Sequence, residues 1–206
     1  TIIEKSSSIW VVSLFSVFLF RNHQFRNGHY GTDGYGTVLY LRKHLIMKFY
    51  DREQETAKLQ EIQQKSLLQA QMTIITGRRR IGKTQLLLNV TAGQPTLYFF
   101  VARKTEADLV VDFQTIATRN LGIPFFGQVT SFAELFRFLM EYSAMNPFNL
   151  IIDEFQEFFN INPSIYSEMQ HYWDINKDKS RMNLLLSGSV SVSYTHLRAH
   201  ETVLDL

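Results

Sequence analysis

The sequence QMTIITGRRRIGKT, residues 71–84, decides the fold class of this chain. The short apolar run Gln71–Thr76 is typical of a strand, and Gly77–Thr84 matches the pattern G-x-x-x-x-G-K-[ST] in full. Lys83–Val90 continues with the composition of a helix. A glycine-containing loop between a strand and a helix is the context in which this pattern binds phosphate. The stretch therefore predicts a nucleotide site within an α/β fold.

The chemistry of the loop explains its spacing. Gly77 and Gly82 allow backbone conformations that other residues disfavour, so successive N–H groups can surround a phosphate. The helix N-terminus adds about half a positive charge. Lys83 is suited to span the β- and γ-phosphates, and the Thr84 hydroxyl is suited to ligate Mg²⁺. The predicted nucleotide-binding residues are Gly77, Arg78, Arg79, Arg80, Ile81, Gly82, Lys83 and Thr84.

An acidic pair follows a second apolar run, Leu150–Ile152. Asp153 is expected at the carboxyl edge of the sheet, where α/β folds bind ligands. Its carboxylate is suited to hold Mg²⁺ through water, because this ion prefers oxygen ligands and keeps several waters. Glu154 is suited to polarise the water that attacks the γ-phosphorus. The plainer alternative is that the pair marks a turn or the start of a helix.

A third apolar run, Asn183–Leu186, ends in the small polar residues Ser187, Gly188 and Ser189. A hydroxyl group at this edge could donate a hydrogen bond to the γ-phosphate or contact the attacking water. We take Ser189 as the candidate catalytic residue, and the sequence does not separate it from Ser187. A Ser-Gly turn after a strand is the structural alternative.

The segments around these motifs alternate in pattern. Short apolar runs predict strands at Gln71–Thr76, Thr96–Ala102, Phe148–Ile152 and Met182–Leu186. Composition and three-and-four spacing predict helices at Arg52–Leu68, Lys83–Val90, Glu106–Leu121, Ser131–Ser143 and Ser164–Asn176. Ser131 and Glu134 have the spacing of a capping box. Short strands flanked by helices predict an α/β three-layer sandwich with a mainly parallel sheet of about five strands.

Several conspicuous side chains have plain structural interpretations. The three arginines of the loop are expected to be solvated, and Arg103 is expected at a solvated strand end. His171 is expected to be a packing or surface residue on a helix. The aromatic residues Phe155, Phe158 and Phe159 are expected in the core rather than as a base-stacking platform.

Composition excludes several classes of protein. Of 206 residues, 45% are hydrophobic and 19% charged, the formal net charge is +2 and cysteine is absent. One packed domain fits this length. A disulfide scaffold and a Cys-ligated metal site are excluded, and a reducing, cytoplasmic setting fits. Residues 47–191 carry fifteen basic and fifteen acidic side chains, so charge gives no argument for nucleic-acid binding.

The two ends differ in character from the middle. Residues 1–46 are interpreted as non-native or disordered sequence read in frame upstream of an initiator at Met47. A membrane or export segment and a piece of a domain are the alternatives. The apolar run Ile9–Phe20 is shorter than the about 20 residues of a spanning helix. Val192–Thr202 resembles the in-frame translation of a sequencing-library adapter, with an ordinary polar tail as the alternative. The predicted domains are therefore a C-terminally truncated domain at 47–191 and an adapter-derived tail at 192–206.

Taken together, the motifs resemble the archaeal-type ATPase family, P-loop ATPases related to the STAND and AAA+ groups. The resemblance spans about residues 48–190 and rests on FYDREQE (49–55), GRRRIGKT (77–84), LYFFVARK (97–104), LIIDEFQEF (150–158) and LLLSGSV (184–190). It implies that Phe49, Tyr50 and Arg52 lie near the adenine base. It also implies a lid, a winged-helix-like region and often a further domain after the Ser-Gly-Ser strand.

The residues and the resemblance together predict binding of ATP and its Mg²⁺-dependent hydrolysis. The expected catalytic residues are Lys83, Glu154 and Ser189, and the expected metal ligands are Thr84 and Asp153. The resemblance implies a nucleotide-driven switch, with self-association or a protein effector, and no membrane partner. Three alternatives stay open: a small-molecule kinase, a non-hydrolysing nucleotide-binding module, and a DNA-associated AAA+-type ATPase whose nucleic-acid contacts lie in a further C-terminal region.

Overall fold

Helices and strands alternate through the middle of the chain. The computed structural model describes residues 52–125, 129–188 and 201–206. The helices are α1 (Glu53–Ser66), α2 (Lys83–Val90), α3 (Glu106–Leu121), α4 (Phe132–Ser143), α5 (Phe158–Ile161) and α6 (Ser164–Asn176), with a 3₁₀ helix at Phe155–Glu157. The strands are β1 (Gln71–Thr76), β2 (Thr96–Phe100), β3 (Phe148–Asp153), β4 (Met182–Ser187) and β5 (Glu201–Asp205). Within these ranges, no helix has the length and apolar character needed to cross a membrane.

The five strands form one sheet in the order β2-β3-β4-β1-β5, and every neighbouring pair is parallel. Parallel pairing brings the carboxyl ends of the strands to the same edge. At that edge, Ser187 of β4 is in register with Asp153 of β3 and with Ile75 of β1. The loop after β1 and the acidic pair after β3 therefore meet, although they are distant in sequence.

Helices cover both faces of the sheet. The larger apolar cluster packs α3, α4 and α6 on one face and includes Ile74 of β1. The smaller cluster packs α1 and α2 on the other face and includes Ile75 of β1 and Ile151 of β3. Successive residues of a strand point to opposite faces, so Ile74 and Ile75 enter different clusters. The predicted α/β three-layer sandwich with a parallel sheet is confirmed.

Amide side chains hold α1 on the sheet near the amino ends of β3 and β4, away from the edge where the loops meet. Asn149 and Asn183 are in register in β3 and β4, and Asn183 Nδ2 donates to Asn149 Oδ1 over 2.9 Å. Gln63 Nε2 of α1 donates to the same oxygen over 2.8 Å. All three residues are buried, and the shared hydrogen bonds offset the cost of removing them from water. The network holds α1 in one position on the sheet, and with it Arg52 at the start of that helix.

The predicted boundaries agree with the observed elements to within two residues. At α4, one of the two hydrogen bonds of the predicted capping box is present: the Ser131 hydroxyl accepts from the Glu134 N–H over 3.2 Å. The Glu134 carboxylate accepts instead from the Thr130 N–H over 3.0 Å, one residue earlier than the box requires. Hydrogen bonds from the backbone and the hydroxyl of Thr130 lower the pKa of Glu134.

The expectation that Phe159 belongs to the core is wrong. Phe155 and Phe158 are fully buried, whereas Phe159 is 58% exposed. The 3₁₀ helix and α5 form a short surface segment with one face on the core. Phe155 and Phe158 occupy that face, and their rings pack edge to face. Phe159 is next in sequence and falls on the solvent side.

Strand β5 differs from the expectation for the tail, where no strand pattern is evident in residues 192–202. Glu201–Asp205 pairs in parallel with β1 and forms the edge of the sheet. An open strand edge offers unpaired N–H and C=O groups to many extended segments, so pairing there makes little demand on side-chain pattern. The interpretation of residues 192–206 as adapter-derived stays a prediction, as does that of residues 1–46, which lie outside the described residues.

Candidate nucleotide-binding site

The loop between β1 and α2 has the backbone that its glycine spacing predicts. Gly77 and Gly82 have φ angles of 141° and 87°, which other residues rarely adopt. A Cβ atom at Gly77 would lie 2.5 Å from Cδ1 of Ile81, so a larger residue requires that side chain to move. Gly82 is the N-cap of α2, and no side chain of the described residues caps the helix. The first N–H groups of α2 are therefore available to an anion.

Arg80 carries backbone strain within this loop. Its φ of 68° is left-handed, which costs a non-glycine residue about 1 kcal/mol. Glycine removes this strain but adds freedom to the unfolded chain, so we expect Arg80→Gly to raise the free energy of unfolding of the nucleotide-free protein by only about 0–0.5 kcal/mol in urea titrations. Arg79→Gly is the matched control, because Arg79 has no left-handed φ. The greater freedom of its unfolded chain should lower the free energy of unfolding by about 0.5–1 kcal/mol. Equal changes in the two variants would contradict the strain.

Lys83 lies over the loop. Its Nζ donates to the carbonyl oxygens of Gly77 and Arg78, each over 3.1 Å. The ammonium group thus sits where phosphate oxygens could replace two carbonyl acceptors. The side chains of residues 78–80 are all exposed, as expected for a loop of solvated arginines.

Asp153 joins three elements of the fold. Thr84 Oγ1 of α2 donates to Asp153 Oδ2 over 2.7 Å, and the Tyr98 hydroxyl of β2 donates to the same oxygen over 2.8 Å. The N–H of Glu154 donates to Asp153 Oδ1 over 3.0 Å. Asp153 is buried, and three donors offset the cost of burying its carboxylate.

The donor set at Thr84 and Asp153 fits Mg²⁺. A hydroxyl oxygen and a carboxylate oxygen lie 2.7 Å apart at the start of α2. Mg²⁺ prefers such hard oxygen ligands, takes few from the protein and completes its shell with waters and substrate phosphates. The arrangement therefore suits a metal that arrives together with a nucleotide.

Tyr98 is a site residue that the sequence did not predict. Burial and, second, the Asp153 carboxylate raise the pKa of the Tyr98 hydroxyl above its ordinary value of 10.0. Tyr98 lies on the same face of the sheet as Asp153, because β2 and β3 are in register with Phe100 opposite Asp153. The alternation of side chains along β2 could have placed Tyr98 on one face of the sheet. The sequence does not give the register between β2 and β3, which brings Tyr98 next to Asp153.

The Tyr98 hydroxyl should contribute to stability in a pH-dependent way. We expect Tyr98→Phe to lower the free energy of unfolding at pH 7 by about 1 kcal/mol, through loss of the hydrogen bond to Asp153. Because the folded-state pKa is raised, the contribution of Tyr98 is complete below pH 10 and is lost at higher pH. The difference in free energy of unfolding between wild type and Tyr98→Phe should therefore become smaller above pH 10 in denaturant titrations. Tyr172→Phe, outside the cleft, is the control, and a difference that grows with pH would contradict the assignment.

Glu154 begins a tight turn after β3. Its φ of 55° is left-handed, and its carbonyl oxygen accepts from the Glu157 N–H over 2.9 Å. The carboxylate oxygen Oε2 accepts a hydrogen bond from Gln156 Nε2. Strained backbone of this kind persists where surrounding structure enforces it, and it is enriched at functional sites. The turn puts Glu154 on the wall of a cleft next to Asp153.

That cleft has a volume of about 890 Å³ and opens at the carboxyl edge of the sheet. This is within the usual range for small-molecule sites. At its mouth, the exposed Arg103 forms two hydrogen bonds with Glu157, over 3.0 and 3.3 Å. The Arg103 guanidinium lowers the pKa of the Glu157 carboxyl group. Within the described ranges, the charged side chains lining the cleft are Arg79, Arg80, Lys83, Arg103, Asp153, Glu154 and Glu157.

The other predicted site residues are placed in part. Arg52 Nη2 donates to the carbonyl oxygen of Ile81 over 3.2 Å, so Arg52 contacts the loop backbone. Phe49, Tyr50 and Ser189 lie outside the described residues, and their roles stay predictions. Ser187 is fully buried beside Asp153, and its hydroxyl has no hydrogen-bond partner in the described part of the chain.

Fold and site together define a P-loop ATPase domain of the α/β class. The chain belongs to the AAA domain family, whose profile matches residues 69–202. The predicted membership of an archaeal-type, AAA-related P-loop ATPase family is thereby confirmed.

Several solved structures are similar in fold to most of this chain. The Walker-type ATPase paby2304 of Pyrococcus abyssi has a TM-score of 0.55 at 19% identity, over 78% of this chain and 55% of that chain. Cdc6p from Pyrobaculum aerophilum has a TM-score of 0.54 at 18% identity, over 76% and 46%. Drosophila ORC bound to DNA has a TM-score of 0.50 at 13% identity, over 83% and 46%. These likenesses show the fold.

A curated relative is the uncharacterized protein MJECL04 of Methanocaldococcus jannaschii. It is 28% identical over 141 residues, which are 68% of this chain and 29% of the relative. The chain therefore spans under a third of the length of that relative, and about half the length of the solved chains.

Proposed function

We propose that this chain binds ATP together with Mg²⁺ and hydrolyses it to ADP and phosphate. The observation that carries the proposal is the 2.7 Å hydrogen bond between Thr84 Oγ1 and Asp153 Oδ2. It joins the glycine loop to the acidic pair across 69 residues of sequence, next to the uncapped start of α2. Membership of the AAA domain family supports the same reaction.

Binding would use the loop and the start of α2. The N–H groups of residues 78–82 would surround the β-phosphate, and Lys83 would exchange its two carbonyl acceptors for phosphate oxygens. Arg79 and Arg80 line the cleft and add positive charge. Arg52, tied to the loop through Ile81, is the described member of the proposed adenine pocket, together with Phe49 and Tyr50.

Thr84 and Asp153 would hold Mg²⁺, and Tyr98 would keep the Asp153 carboxylate in place. When bound, the metal neutralises charge on the phosphates. Tyr98 donates a hydrogen bond to the carboxylate from the neighbouring strand, which is the usual way in which a carboxylate near a metal is oriented.

Hydrolysis would use Glu154 as the general base. Glu154 accepts a proton from the water whose oxygen attacks the γ-phosphorus. The new P–O bond forms as the bond to the β–γ bridging oxygen breaks, and ADP leaves with that electron pair. The proton then passes to the phosphate product or to solvent. Ser189 or Ser187 would contact the γ-phosphate, and among the described residues the register of Ser187 with Asp153 supports Ser187.

The proposal extends to a nucleotide-driven switch of the STAND type in the cytoplasm, acting on a protein effector or through self-association, with residues 47–191 as its ATPase domain. Two contacts support a rearrangement on binding. Lys83 is bonded to loop carbonyls that phosphate oxygens would displace, and Arg103 is held by Glu157 at the mouth of the cleft. Both cations can exchange their present partners for phosphate.

Two measurements on the full chain test the reaction. Calorimetric titration with Mg-ATP should give saturable heat, and a phosphate-release assay should detect turnover without an added acceptor. Heat without release would favour a non-hydrolysing binding module. Release that requires a small-molecule acceptor would favour a kinase. Absence of heat would exclude the nucleotide site.

A further inference from the structure

Gln156 contacts the carboxylate that we assign as the base. It lies in the 3₁₀ helix Phe155–Glu157, two residues after Glu154, and its Nε2 donates to Glu154 Oε2. Both side chains line the cleft next to Lys83 and Asp153. One carboxylate oxygen of Glu154 is thereby occupied, and Oε1 is the oxygen left for another donor.

The orientation of the Gln156 amide follows from this contact. An ionised carboxylate only accepts hydrogen bonds, so the amide nitrogen must face it and the amide oxygen Oε1 must point elsewhere. Gln156 Oε1 is buried and has no hydrogen-bond partner in the described ranges. Leaving a buried amide oxygen unpaired carries the cost of removing it from water without a replacement hydrogen bond. This oxygen is not accessible to water in the cleft, so the contact that Gln156 makes at the site is the one from its Nε2.

The backbone holds the two side chains in a fixed relation. The Glu154 N–H donates to Asp153 Oδ1, and its carbonyl oxygen accepts from the Glu157 N–H. Phe155, between Glu154 and Gln156, is fully buried, and the Tyr166 hydroxyl donates to its carbonyl oxygen over 3.1 Å. The turn is thus anchored on both sides, which restricts where the amide and the carboxylate can lie.

We propose that Gln156 positions the base for the attacking water. Its Nε2 fixes the Glu154 carboxylate, so that Glu154 Oε1 is held where it can accept a hydrogen of that water. A fixed acceptor would orient the water oxygen towards the γ-phosphorus. This role rests on the hydrolysis proposed above.

Three variants of the full chain test the role with Mg-ATP. Gln156→Met keeps the length of the side chain and removes donor and acceptor, so kcat should fall about 10- to 100-fold while KM and the Kd for a non-hydrolysable ATP analogue stay within about two-fold. Gln156→Asn keeps an amide but shortens the side chain by one methylene group, so its nitrogen no longer reaches Glu154 Oε2 and kcat should fall with the same unchanged KM.

Gln170→Met is the matched control. Gln170 Nε2 donates to Asp174 Oδ2 over 2.9 Å and its Oε1 is also buried without a partner in the described ranges, but this amide lies on α6 outside the cleft. It should leave kcat unchanged, which separates the role of Gln156 from the general effect of losing such an amide. If Gln156→Met does not fold, Gln156→Asn and its separate effects on kcat and KM decide the question.

Each outcome bears on one of the two proposals. Unchanged kcat in Gln156→Met with an active wild type would overturn the role of Gln156 and leave hydrolysis intact. Parallel loss of kcat and of nucleotide affinity would also overturn it, in favour of a structural role. A wild type that binds ATP without releasing phosphate would instead overturn hydrolysis itself, and the role of Gln156 with it.

Discussion

Glu154→Gln should abolish sustained ATP hydrolysis while ATP stays bound. General-base catalysis contributes about 10²- to 10⁴-fold, so turnover should fall by that factor in a phosphate-release assay. The amide keeps the size of the side chain and cannot take up the proton of the attacking water. The contacts of Thr84 and Asp153 do not involve the Glu154 side chain, so the Kd for Mg-ATP should change by no more than about two-fold.

Glu157→Gln is the matched control for this variant. Glu157 lines the same cleft, but its carboxylate is engaged by Arg103 at the mouth. Its replacement removes an ion pair whose partner is exposed and screened by water, and should leave kcat within about three-fold. Rapid turnover by Glu154→Gln, or equal losses in the two variants, would exclude Glu154 as the base.

Lys83→Ala should remove most of the affinity for Mg-ATP. Hydrogen bonds from a charged donor contribute about 1.5–3 kcal/mol each, so the loss of one contact should raise Kd about 10- to 150-fold. If Lys83 contacts both phosphates, the Kd of the variant should be too high for a routine calorimetric titration. In the nucleotide-free protein, the lost contacts are those to the carbonyl oxygens of Gly77 and Arg78. These are partly exposed, so the free energy of unfolding should change by about 1 kcal/mol or less.

Lys65→Ala is the control for Lys83→Ala. Lys65 is an exposed lysine of α1 that pairs with Glu61, and it does not line the cleft. It should bind Mg-ATP as wild type does. A Kd that is the same for Lys83→Ala and wild type would remove the glycine loop from the nucleotide site and with it the whole proposed reaction.

The sequence was sufficient where the physics is local. Strand β1, the loop and α2 are contiguous, so their order and the two glycines determine the backbone; Gly77 and Gly82 have the φ angles that their spacing predicts. The helix and strand boundaries follow from apolar periodicity and caps, as Ser131 at the start of α4 shows. The parallel sheet follows from the alternation of strands and helices.

The features that the sequence did not predict depend on strand register or on a turn and a surface that packing decides. Tyr98 becomes a site residue only because β2 pairs with β3 so that its hydroxyl reaches Asp153. Gln156 follows the acidic pair in sequence, but its contact with Glu154 depends on a left-handed turn that only the packed chain enforces. Phe159 is exposed for the same reason, since the core accepts one face of that short segment.

By itself, the sequence determined that this chain contains a glycine loop between a strand and a helix, with the pattern typical of phosphate binding, followed by an acidic pair in an α/β domain. Tertiary structure alone decided that Thr84 and Asp153 lie 2.7 Å apart, that Arg52 reaches the loop, and that the Gln156 amide holds Glu154. The physical reason is that backbone conformation is set by neighbours along the chain, whereas contacts between strands are set by register and burial, which no local pattern encodes.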